Sequence, residues 1–83
     1  MKKKRIKVIY SKLGQYKAVG LAWKEDRVIA IDKRLKGINE LETIIHEIEH
    51  IQNPEWSETK VTNTAKEKAQ ILWDLGFRKV DNG

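Results

Sequence analysis

Apolar and polar residues alternate at the start of the chain. Ile6, Val8 and Tyr10 interleave with Arg5, Lys7 and Ile9, which predicts a short strand. Gly14-Gln15 then offers a turn. The next run, "QYKAVGLAW", puts Tyr16, Ala18, Gly20 and Ala22 on one side and Val19, Leu21 and Trp23 on the other. "KED" at 24–26 serves as a second turn, and "RVIAID" follows, apolar on both sides. A strand of that kind is expected to be covered by helices. Together these runs predict a three-stranded antiparallel sheet.

From residue 38 the period changes. Ile38, Leu41, Ile44, Ile45, Ile48 and Ile51 recur at helical spacing. Asn39, with Glu42 three residues on, matches a capping box and predicts the helix start. The chain's single proline, Pro54, ends the helix, because Asn53 before it is pushed out of helical geometry. Ser57 can cap a second helix, with Val61, Ala65, Ala69, Leu72 and Leu75 as its buried stripe. Lys68 lies beside that stripe and must snorkel or sit at an edge. Gly76 reads as the residue just past the helix end, with Phe77 folding back on the last turn, and "FRKV" as a short extended closing piece. The expected fold class is therefore α+β: a small three-stranded antiparallel sheet followed by two packed helices.

At 83 residues the chain has room for one small domain, spanning 1–83. Domains of this size commonly need a disulfide, a metal or a partner. Cysteine is absent, which excludes disulfides and thiolate zinc sites, so a metal would need His, Asp or Glu. No apolar run approaches the roughly 20 residues of a membrane span. "MKKKRIKVIYSK" opens like a signal peptide, but Lys7, Ser11 and Lys12 interrupt the apolar region it would need. The expected location is cytoplasmic. Seventeen Lys and Arg against 12 Asp and Glu give a net charge of +5. Residues 1–5 carry Lys2, Lys3, Lys4 and Arg5, and read as a flexible, solvated tail. A nucleic-acid partner is the other use of such charge, but the aromatic-interleaved basic stripe of single-strand binders is missing.

Both histidines of the chain fall in "HEIEH", residues 46–50. Residues four apart stack on one helix face, so His46 and His50 present two imidazoles side by side, as two ligands of one metal require. Glu47 is rotated about 100° from His46. It is poorly placed to share the metal and well placed to reach a water beside it. That is the arrangement of zinc-dependent hydrolysis, with Glu47 as the catalytic general base and then general acid. On a helical wheel Leu41, Ile44, Ile48 and Ile51 lie opposite the histidines, which leaves the polar triplet clear of the apolar face. Two exposed histidines on a solvated helix would give the same wheel. Random placement gives this motif roughly once in 400 chains of this composition, which favours the metal reading.

A catalytic zinc takes three protein ligands and keeps one position for water. With both histidines used and no cysteine, the third is a carboxylate. Glu55, Glu58, Glu67, Asp74 and Glu49 are the nearby candidates. Glu49 points about 60° to the other side of His46. On the second helix Glu58 lies about 60° from Val61, on the inward side, while Glu67 and Asp74 lie beyond 120°. Burying a carboxylate is costly unless it is paired, and a metal would remove that cost. Glu58 is the preferred third ligand and Glu55 the alternative. The turn "NPEWS" would return the second helix toward His50, with Trp56 filling the corner.

"HEIEH" resembles the HExxH signature of the zincin metallopeptidases. A following helix that carries a glutamate ligand resembles the gluzincin arrangement. Residues 20–58 resemble SprT-like and related small metallopeptidases, in which a strand like "IAID" leads into the HExxH helix. This resemblance implies one Zn²⁺ per chain, a peptide or protein substrate, and an edge strand, 16–23 or 27–31, that binds extended substrate by sheet addition. The chain departs from the pattern. SprT-like proteins have a third histidine where Trp56 stands, Glu49 replaces a commonly small residue, and neither Tyr10 nor Tyr16 can be assigned to stabilise an oxyanion. Two functions are thus expected. One is a minimal zinc metallopeptidase using His46, His50, Glu58 and Glu47. The other is a non-catalytic, metal-stabilised module that binds a protein or nucleic acid. His₂Glu also suits divalent metals other than zinc.

Overall fold

A computed structural model describes residues 4–14 and 18–80. Three strands, β1 (Lys7–Ser11), β2 (Gly20–Trp23) and β3 (Val28–Asp32), precede two helices, α1 (Gly37–Gln52) and α2 (Glu58–Asp74). The α+β class is as the sequence predicts. The sheet is not antiparallel throughout. It is mixed, in the order β1-β3-β2. β1 runs parallel to β3 with Lys7 opposite Val28, and β2 runs antiparallel to β3 with Gly20 opposite Ile31. β3 is the strand apolar on both faces, so it takes the one place with a neighbour on each edge. β2 and β3 form a hairpin whose turn covers residues 24–27, one residue longer than "KED". Arg27 closes it with φ 54°. β1 takes the remaining edge of β3. The Gly14-Gln15 turn and the start of the second run lie partly outside the described residues.

α1 covers one face of the sheet only. Ile29 and Ile31 are fully buried there, against Ile51 with Ile44 and Ile48 packed around it. Strand alternation turns Ala30 and Asp32 to the opposite face, where a second helix was expected. The chain after β1 reaches that face instead. The N–H of Leu13, itself buried, donates to Asp32 Oδ2 at 3.2 Å. Arg34 completes the arrangement, with backbone N–H to Oδ1 at 2.9 Å and guanidinium bonds at 3.0 and 2.8 Å.

The Arg34 guanidinium, aided by the Arg34 and Leu13 N–H groups, holds the Asp32 carboxyl well below the usual carboxylate range. A carboxyl depressed in the folded state stabilises above its unfolded value, near 3.8. That contribution is lost as pH falls below it. Asp32→Asn is therefore expected to lower stability at neutral pH and to flatten its acid decline below about pH 4. Urea melts at a series of pH values would show this, and an unchanged acid limb would count against it.

The helices start and stop for local reasons, not all of them anticipated. α1 begins at Gly37 with Lys36 in the N-cap position, and no side chain caps it. Asn39 is inside the helix, where its carbonyl accepts from Thr43 Oγ1 at 2.8 Å, so the Asn39/Glu42 capping box does not form. α1 stops at Gln52, ahead of Pro54. α2 is capped by Ser57, whose side chain accepts from the Lys60 N–H at 3.1 Å. Gly76, at φ 92°, makes the left-handed exit. Its N–H donates to Trp73 and the Phe77 N–H to Leu72, but the Phe77 ring stays 61% exposed. Residues 77–80 form no strand.

α2 packs on α1 rather than on the sheet. Its fully buried residues, Val61, Ala65 and Ala69, are small enough for close approach. Beside them Glu49 of α1 is buried, with Lys68 Nζ 3.0 Å away and the Thr64 hydroxyl donating to its carboxylate. Lys68 thus snorkels to a partner, and the motif's second glutamate links the two helices. Among the described residues no helix is long and apolar enough to cross a membrane. Of the basic N-terminal stretch, Lys4 and Arg5 are exposed and the Lys4 carbonyl accepts from Arg27 Nε at 2.7 Å. Residues 1–3 lie outside the described residues.

Candidate functional site

His46 and His50 project from one face of α1, ring centroids 4.8 Å apart and planes at 68°. The turn at 53–56, closed by the Trp56 N–H on the Asn53 carbonyl, swings the start of α2 back over them. Glu58, the first residue of α2, places Oε1 2.7 Å from His46 Nε2 and Oε2 3.0 Å from His50 Nε2. The two Nε2 atoms are 3.1 Å apart. His46, His50 and Glu58 form the one group of three or more such side chains, among the described residues, whose donor atoms could hold a metal ion.

The donor set fits a divalent cation. Zinc–ligand bonds of about 2.0–2.1 Å at tetrahedral angles separate ligand atoms by roughly 3.3 Å. The observed spacings of 2.7–3.1 Å need only a small opening to reach that. Two imidazole nitrogens and a carboxylate are ligand types that zinc accepts, and their atoms converge closely enough to share one cation.

Glu58 differs from expectation in one respect. Its side chain is 68% exposed, against 21% for each histidine. It stands one turn ahead of Val61, where α2 first packs on α1, so its carboxylate reaches the histidines from the rim. The other acids do not join the group. Glu55 is exposed in the turn, Glu67 and Asp74 lie exposed along α2, and Glu49 is buried against Lys68. Trp56 is half-buried with Lys60 Nζ 4.4 Å from its ring.

Glu47 belongs to the same cleft, a shallow space of about 340 Å³ shared with Ala18, Val19, Gly20, His46 and Glu58. It is buried, and burial pushes its carboxyl pKa up, against the downward pull of His50. Above it runs β2, an edge strand of the sheet. β3 is central and has no free edge, so residues 27–31 cannot accept an added strand. Tyr10 is occupied elsewhere, its hydroxyl donating to Glu40 at 2.7 Å. Tyr16 lies outside the described residues.

Sequence reasoning missed Gly20. A Cβ at that position would lie 2.8 Å from Glu47 Oε2 and from Thr43 Cγ2, and 3.0 Å from Glu47 Cγ. The lack of a side chain at Gly20 is what lets the Glu47 carboxylate sit beneath β2. The signal was present, since a glycine inside a strand pattern marks close approach of a neighbour. Comparison with protein-family models, with curated proteins and with solved structures found no match.

Proposed function

We propose that the chain is a minimal metallopeptidase. Its metal ligands are His46, His50 and Glu58, and Glu47 is its general base. The observation that carries this reading is the meeting of the three donor side chains at 2.7–3.1 Å, two of which, His46 and Glu58, line the cleft that also holds Glu47. Zinc bound there would polarise a substrate carbonyl and lower the pKa of a water to about 7. Glu47 would act as the proton carrier, accepting a proton from an attacking water and returning it to the departing amine. The acyl half leaves as a carboxylic acid and the other half as an amine. Edge strand β2, directly over Glu47, supports an extended peptide as substrate, paired to the strand through main-chain hydrogen bonds.

The first test is elemental analysis of tag-free protein, together with hydrolysis of an unstructured protein substrate before and after chelation. About one zinc per chain and chelator-sensitive cleavage are expected. A chain that stays metal-free when zinc is offered would end this reading. Gly20→Val supplies a further check. Its side chain would push Glu47 from under β2, and a displacement of about 1 Å can cost on the order of 10²-fold in rate. The variant should lose activity and retain its metal. Loss of both together would point instead to general collapse of the cleft.

A second reading rests on Glu58 joining α2 to α1. A metal there would clamp the helical hairpin without chemistry, giving a metal-stabilised binding module. Metal uptake that raises stability, with no hydrolysis of any unstructured substrate, is its signature.

A further inference from the structure

We propose that the groove between the start of α1 and the end of α2 is a docking site for an acidic, amphipathic segment of a partner protein. The groove holds about 640 Å³, within the size range of specific binding sites. It shares no residue with the His46–His50–Glu58 cleft. Leu41 and Ile44 of α1 face Leu72 and Trp73 of α2 across it, and Phe77, largely exposed, forms a lip. It stays open because α2 leans on α1 through Val61, Ala65 and Ala69 and does not reach down to the sheet. An apolar groove between helices is the kind of surface that receives the apolar face of an incoming helix.

The charges around the groove select the sign of the partner. Lys36, Arg78 and Lys79 stand against one carboxylate, Glu40. Glu40 is already engaged, by the Tyr10 hydroxyl at 2.7 Å and Lys79 Nζ at 3.2 Å. Among the described residues, neither Lys36 nor Arg78 is in ion-pair contact with a carboxylate, and Lys36 only favours the charged form of Glu40 from a distance. The Arg78 guanidinium lies 3.4 Å over the Trp73 ring and donates to the Trp73 and Phe77 carbonyls at 2.9 Å, which holds it at the mouth. Lys79 lies 4.3 Å over the Tyr10 ring. These two cations, neither in ion-pair contact, come from opposite walls, Lys36 ahead of α1 and Arg78 beyond α2. That suits a segment with carboxylates on both flanks of an apolar stripe, rather than an aliphatic acid with one carboxylate at one end.

The test is an NMR titration of the full chain with three synthetic helical peptides. They share one stripe of Leu and Phe and carry Glu, Gln or Lys on the flanks. The Glu peptide should shift the Trp73 indole and the amides of Leu41, Ile44 and Phe77. It should bind about tenfold tighter than the Lys peptide, the equivalent of about 1.4 kcal/mol. In the double variant Lys36→Glu, Arg78→Glu, both exposed changes, the order of the two peptides should reverse. Phe77→Ser should weaken all three without unfolding the chain, since the ring is mostly exposed. Absence of binding, equal binding of the three peptides, shifts outside the groove, or an order that survives the charge reversal would each overturn the proposal. So would sodium dodecanoate binding there more tightly than the Glu peptide, which would assign the groove to an aliphatic acid.

Discussion

Replacing Glu47 by Gln should cut peptide hydrolysis by about 10²–10⁴-fold, the range that general acid–base catalysis supplies, and leave metal content unchanged. The substitution keeps the size and shape of a side chain packed beneath Gly20 and removes the atom that accepts a proton. Glu47 is not one of the three converging ligand residues, so uptake of zinc should survive. Stability should survive as well. Burial pushes the Glu47 pKa up, which means the ionised carboxylate is held there at a cost that a neutral amide does not carry. The variant should melt at or above the wild-type temperature while its kcat/KM collapses. Assaying hydrolysis, zinc content and melting on one sample separates the possibilities. A Glu47→Gln protein that cleaves as fast as wild type would remove Glu47 from the mechanism. A variant that loses zinc and activity together would make Glu47 a determinant of metal binding instead.

Positions with strong local chemistry were legible in the sequence. Pro54, Ser57 and Gly76 bracket the helices because each acts through its own backbone or side chain on the adjacent turn. The relation of His46 to His50 was equally legible, since four residues fix two side chains on one helix face. The facing of Glu58 toward α1 followed from the same geometry, applied to an expected stripe of which Val61, Ala65 and Ala69 are buried, while Leu75, just past the end of α2, is 70% exposed.

What stayed hidden depends on contacts between distant segments. Alternation in β1 and β2 assigns residues to faces and says nothing about which strand lies beside which. An eight-residue connection between β1 and β2 was compatible with a hairpin and also with β1 on the far edge of β3. The run "RVIAID" is buried on both faces, as its composition predicts, but a helix covers only one of them. The cover on the second face is a loop held by Asp32, Leu13 and Arg34, which no periodicity announces. Glu49 is the clearest case. Within its own helix it looks like a surface glutamate, and only the arrival of Thr64 and Lys68 from α2 makes it a buried link. Gly20 belongs with it, since its value lies in Glu47, 27 residues away, passing under β2.

Zinc at 1,000 times its Kd should stabilise the fold by about 4 kcal/mol, or roughly 15–30 °C in Tm for a domain of this size. Glu58→Ala should remove much of that gain. The reason lies in how α2 is held. Its fully buried side chains are two alanines and a valine, and its packing partner is α1. Without metal, the largely exposed Glu58 carboxylate meets the two more buried histidines at the rim, a solvent-screened contact worth about 0–1 kcal/mol. With metal, the same carboxylate would become a bond from α2 to two side chains of α1, so unfolding the hairpin would require releasing the ion. Each tenfold loss of affinity in Glu58→Ala would cost about 1.4 kcal/mol of that stabilisation at fixed free zinc. The comparison to make is thermal unfolding of wild type and Glu58→Ala, each with chelator and with buffered zinc. Close melting temperatures in chelator and a wide gap in zinc are expected, because the contact of the solvent-screened Glu58 carboxylate contributes little on its own. Equal gains for both proteins would show that Glu58 is not a ligand and would leave the third position to another carboxylate or to water. A large gap already present in chelator would mean that Glu58 holds the hairpin without any metal, and would favour a structural role for the contact over a catalytic one.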